Sequence, residues 1–133
     1  MILTFNWSQE FLFNESTIEN QVPRKPGVYR FLQSEEYPRY RGNTRVLKIG
    51  ISQTDLREEI KNHFQRHTAA NRLLRIRNQI EIIVNVDYLV DFVGTATEIE
   101  RKLLQEFEVE HWDLPILNSQ RGYARGEDRH YKE

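Results

Sequence analysis

The sequence predicts a domain of the α/β class, in its α+β form: a small antiparallel sheet of three strands flanked by helices. Three observations predict it. Gly27-Val28-Tyr29-Arg30-Phe31-Leu32 and Arg45-Val46-Leu47-Lys48-Ile49-Gly50-Ile51 are short, largely apolar runs with the alternation of half-buried strands. Residues 80–90 alternate in the same way, with Ile80, Ile82, Val84, Val86, Tyr88 and Val90 on one face. Two further segments repeat their apolar residues at helical spacing behind capping signals, at 55–67 and 95–111. Three strands alone make a small sheet, so the helices must pack on it for stability.

Residues 1–22 form an N-terminal extension in which Phe5, Trp7, Phe11, Leu12, Phe13 and Ile18 are apolar enough to dock on a core, with a short helix. Pro23 and Pro26 end it, since proline lacks a backbone donor and restricts the residue before it. The first two strands read as a hairpin with a long polar connection, residues 33–44, carrying Pro38 and the turn signal Gly42-Asn43. Asp55 caps a helix with Glu58 three residues on, and Leu56, Ile60, His63, Phe64 and His67 share its inner face. A short basic helix is expected over residues 69–77, then the strand at 80–90. Thr95 and Glu98 open a helix that runs to His111 and is stopped before Pro115. Residues 119–133 are a polar tail. The 133 residues suit one domain, and 38% hydrophobic residues suffice for one core.

Charge is uneven along the chain. Residues 23–80 hold thirteen basic side chains against five acidic ones, whereas the whole chain is nearly neutral at −1. Arginine dominates that surplus, and its planar fork is a good phosphate ligand. Arg39, Arg41 and Arg45 on the hairpin, with Arg66, Arg72, Arg75 and Arg77 further on, are the candidate nucleic-acid contacts; a solvated face is the alternative. Tyr40 between two of them suits stacking on bases. The chain has no cysteine, which excludes disulfides and zinc–thiolate sites and suits the cytoplasm. The N-terminal residues lack the pattern of a secretory signal, and no apolar run approaches a membrane span, so no membrane partner is expected.

One carboxylate is out of place. At 100° per residue, Ala96, Ile99, Leu103, Leu104 and Phe107 form an apolar arc, and Glu100 falls inside it. A carboxylate there must be paired, protonated or bound to a cation. It is either a buried ion pair with an arginine or a metal ligand or acid–base group. His63 and His67, four apart, admit metal binding, phosphate contact or plain packing.

Four pieces in order then resemble the GIY-YIG nuclease family. Gly27-Val28-Tyr29 is similar to its first triplet and Lys48-Ile49-Gly50 to its second. Residues 96–100 with Leu103-Leu104 resemble the stretch around its metal-binding glutamate, and Leu114-Pro115-Ile116-Leu117-Asn118 its closing Pro-x-x-Asn segment. The resemblance implies a metal-dependent endonuclease that hydrolyses phosphodiester bonds, most naturally of DNA. It implies one divalent ion, Mg²⁺ or Mn²⁺, on Glu100, with Tyr29 assisting deprotonation of water and Asn118 holding the site in shape. His63 matches a histidine that assists at the phosphate, and Lys48 stands where the family has tyrosine. The family's helix arginine falls at position 59, which is Glu59; Arg57 and Arg66 are the nearest basic residues. That exchange points to the alternative, a catalytically degenerate domain that binds nucleic acid or a protein. Without a separate reading module, specificity would come from its own loops, a homodimer or a partner protein.

Overall fold

The computed structural model describes residues 6–65 and 84–118, with the backbone alone for 64 and 65. The expected helix at 69–77, Arg66, His67, Arg72, Arg75, Arg77, the start of the strand at 80–90 and the tail at 119–133 lie outside the described residues. Within them the chain runs β1 (Phe11–Leu12), α1 (Glu15–Gln21), β2 (Gly27–Pro38), β3 (Asn43–Ser52), α2 (Leu56–Gln65), β4 (Val84–Leu89) and α3 (Ala96–His111). No helix among the described residues is long and apolar enough to cross a membrane.

The α+β class and the antiparallel sheet are as expected, but the described sheet has four strands, ordered β1-β4-β2-β3. The fourth is β1, two residues long, pairing Phe11 with Val86 and Leu12 with Asn85. So short a strand leaves no periodicity to read. The N-terminal segment is consequently built into the core: Phe13 stacks on Phe31, and Ile18 and Val22 are fully buried.

The long hairpin connection is also corrected. β2 continues to Pro38 and β3 starts at Asn43, so the turn is residues 39–42. Register shifts at Phe31/Leu32 and Leu32/Tyr37 break the alternation, and such irregularities let a polar strand look like a loop. Tyr37 fixes the extension: its hydroxyl donates to the Val46 carbonyl and accepts from the Ile116 amide.

Alternation on the central strands gives the sheet two packed faces. On one, Tyr29, Phe31, Val84 and Val86 pack with Ile18 of α1 and Leu56 and Ile60 of α2. On the other, Val28, Ile49 and Leu89 pack with Ala96, Ile99 and Leu104 of α3 and with Leu114. The capping signals operate as read: Asp55 accepts from the Glu58 amide and Thr95 from the Glu98 amide. α3 ends on Trp112 in the left-handed region, φ 62°, where its amide donates to the Glu108 carbonyl at 2.7 Å. A tryptophan in that conformation costs about 1–2 kcal/mol that glycine would not.

Candidate functional site

Strand register places Tyr29 opposite Gly50, the first triplet's tyrosine facing the second triplet's glycine. The phenol passes directly over Gly50. A Cβ there would overlap the ring and hydroxyl of Tyr29, so only glycine leaves the ring its volume. Tyr29 is 1% exposed, and its hydroxyl crosses the layer to α2, 2.8 Å from His63 Nε2 and 3.3 Å from Glu59 Oε2. Glu59 and His63 lie one helical turn apart, with 3.7 Å between carboxylate and imidazole. The His63 ring stands edge-on to both Phe31 and Tyr29, which fixes its orientation.

A phenol has one proton, and the geometry accommodates a directional chain. With its proton on Nε2, His63 donates to Tyr29 Oη, and Tyr29 donates to Glu59. Glu59 is the half-exposed outer end of this chain and His63 the buried inner one. Such an arrangement can take a proton at the tyrosine oxygen and pass one outward.

The closing segment contributes a clamp. Asn118 Oδ1 accepts from the Ile49 amide and Nδ2 donates to the Ile49 carbonyl, both at 2.8 Å, and the Leu117 amide donates to Leu47. This holds the residue between Lys48 and Gly50. By register Lys48 faces Phe31, which places it half-buried on the same sheet face as Tyr29.

Glu100 is 5% exposed on α3, as its place in the apolar arc predicted. The apolar residues of that helix pack on the sheet face away from Tyr29. Sequence order thus converges on one Tyr29–Gly50–His63 cluster, with Asn118 behind it and Glu100 on the helix of the other layer. Among the described residues no group of three or more His, Asp or Glu side chains could hold a metal. The donor set that Glu100 offers is a single hard oxygen ligand. Mg²⁺ accepts this, since it keeps several waters and completes its shell with substrate phosphate oxygens.

Among the described basic candidates, Arg57, Arg45 and Arg39 are engaged within the chain. Arg57 donates from Nε to the Val22 carbonyl and faces Glu19, so it is turned to α1 and not to Tyr29. Arg45 grips Glu10 with both terminal nitrogens, and Arg39 pairs with Asp113. Arg41 differs: its guanidinium lies 5.7 Å above the Trp112 ring, and no carboxylate among the described residues is paired with it.

Sequence reasoning missed a second polar cluster. Arg30 binds Asp87 through Nε and Nη2, at 2.9 and 2.5 Å, and Trp7 stacks on the guanidinium at 3.8 Å. Burial pushes the Asp87 carboxyl above its ordinary value, and Arg30 only partly offsets this. Arg30 and Trp7 line a groove of about 350 Å³ against Phe107 and His111 of α3. A single sequence carries no signal that residues 57 apart are paired. A scan against protein-family models returned no match, and searches of curated proteins and of solved structures returned none either.

Proposed function

We propose that this domain hydrolyses phosphodiester bonds of nucleic acid, DNA in the first instance, as a cytoplasmic GIY-YIG-type endonuclease. The observation that carries this reading is the 2.8 Å contact between Tyr29 Oη and His63 Nε2 over Gly50. It joins three residues of the motif, distant in sequence, through one hydroxyl. Tyr29 would receive the proton of the attacking water and relay it toward Glu59, with His63 holding the phenol in place. Lys48, on the same sheet face, would balance phosphate charge, and Asn118 keeps the strand carrying it in position. One divalent ion, Mg²⁺ or Mn²⁺, would supply Lewis acidity at the phosphate when bound; the resemblance names Glu100 for it, although α3 packs on the sheet face away from Tyr29. Selectivity would come from the domain's loops, a homodimer or a partner protein.

Glu59 favours a second reading. Its carboxylate, in contact with Tyr29, stands where the family resemblance calls for a cation. A negative charge beside the developing charge of the transition state opposes the reaction. On that reading the domain binds nucleic acid, or a protein, without cutting.

Cleavage of supercoiled plasmid with Mg²⁺ or Mn²⁺ tests the proposal. The expected result is nicking that is lost in EDTA and in Glu100→Ala, and reduced at least a hundredfold in Tyr29→Phe. Glu59→Arg removes the acceptor at the end of the relay and should lower the rate, whereas cleavage gained from an inactive parent would favour the second reading. Salt-sensitive binding without nicking would establish the second reading, and neither binding nor nicking would end both.

A further inference from the structure

Beyond the Tyr29 cluster, the tip of the β2–β3 hairpin meets the end of α3 in a surface of unusual composition. Tyr40 is 81% exposed and Trp112 65% exposed, with the Arg41 guanidinium over the indole. The surface is rigidly mounted. The Arg41 amide donates to the His111 carbonyl at 3.0 Å, His111 Nδ1 returns a hydrogen bond to the Arg41 carbonyl at 2.8 Å, and Gly42 turns the chain at φ 70° against the His111 ring.

Trp112 occupies a position that its backbone disfavours. Helix ends in the left-handed region are normally glycine or asparagine, because a β-carbon is strained there. A bulky aromatic residue gains little from that site by packing, since it is 65% exposed and the guanidinium of Arg41 is its one ring contact of note among the described residues. Strain and exposure together indicate that the indole itself is the useful part.

We propose that Tyr40, Arg41 and Trp112 form a stacking platform for unpaired nucleotides. This rests on the reading of the domain as a nucleic-acid protein and names the form of substrate it holds: a single-stranded segment. Bases stack on exposed aromatic rings whatever their sequence, and Arg41, unopposed by a carboxylate among the described residues, is placed to meet the connecting phosphate. The platform lies seven residues of β3 from Gly50, roughly 25 Å at the rise of a strand. A stacked strand spans that distance in about seven nucleotides, at about 3.4 Å each. The bound single strand would therefore begin well outside the bond at the Tyr29 cluster.

Trp112→Gly separates function from folding, because glycine relieves the left-handed strain while removing the ring. Binding of a fluorescein-labelled twelve-nucleotide oligothymidylate, its abasic counterpart and a duplex of equal length would be measured by anisotropy. The variant is expected to melt no lower than the parent and to lose affinity for oligothymidylate about tenfold or more. Tyr40→Ala should act in the same direction, while affinity for the abasic strand and the duplex stays unchanged in both. Equal affinity of parent and variants for oligothymidylate overturns the platform and leaves the nuclease reading standing. Absence of binding to all three probes overturns platform and nucleic-acid reading together. A concentration-dependent dimer that Trp112→Gly abolishes, without loss of oligothymidylate affinity, would assign the surface to a second copy and overturn the platform.

Discussion

Gly50 and Tyr29 occupy one volume, and this is the tightest constraint on the candidate site. Gly50→Ala should cost about 1–3 kcal/mol of stability by overpacking a ring that cannot move aside. The same change in a Tyr29→Leu background should cost distinctly less, because the overlapping ring atoms are gone. Urea unfolding of the four proteins in that cycle measures the difference, and equal costs in both backgrounds would remove the claimed contact. Both residues were singled out in the sequence by a resemblance, and His63 was legible as lying on the inner face of its helix. What could not be read was the orientation of the phenol across a register pair, which exists only once β2 and β3 are aligned. Glu59 was noted only because the resemblance expects an arginine at that position. Its hydrogen bond to Tyr29 is a consequence of that helix's placement, which no local pattern encodes.

Helices were the most readable elements, since their signals are local. The α3 boundaries follow from Thr95, Glu98 and the apolar arc, and the buried Glu100 was visible as a break in that arc. Thr95→Ala should therefore cost about 1 kcal/mol, by leaving the Glu98 amide without its hydroxyl acceptor. Thr95→Asp, which restores an acceptor, should recover most of it; thermal melts of the two variants decide this. Strands fared less well where pairing departs from regularity. The outer half of β2 holds Ser34, Glu35 and Glu36, which favour solvent, and its register shifts erase the two-residue period. It is held by Tyr37 and by cross-strand pairing instead of by an apolar face. β1 contributes only Phe11 and Leu12, and its membership depends on the free edge of β4 being available to it.

At the scale of the molecule, much of the basic charge among the described residues is spent on internal pairs: Arg24 with Asp55, Lys25 with Asp91, Arg45 with Glu10, and Lys61 with Glu19. The central pair, Arg30 with Asp87, ties β2 to β4 at the middle of the sheet. Arg30→Met should cost about 3 kcal/mol near neutrality, because it leaves a buried carboxylate unopposed. The sign with pH follows from the raised Asp87 value. The folded state binds a proton that the unfolded state releases, so this group's contribution to stability falls as pH rises from the ordinary 3.8 through the raised folded value. The deficit of Arg30→Met relative to the parent should shrink on acidification, and a deficit that stays constant from neutrality down to the ordinary carboxylate range would contradict this. β3 borders the described sheet, and an unprotected margin of β-structure invites another chain to add itself as a further strand. Asn118 presents to Ile49 the amide donor and acceptor that an incoming strand would present, so one side chain pre-empts the vacancy. The residue that steadies the strand beside Lys48 and Gly50 thereby also occupies the edge position at which another chain's strand would pair.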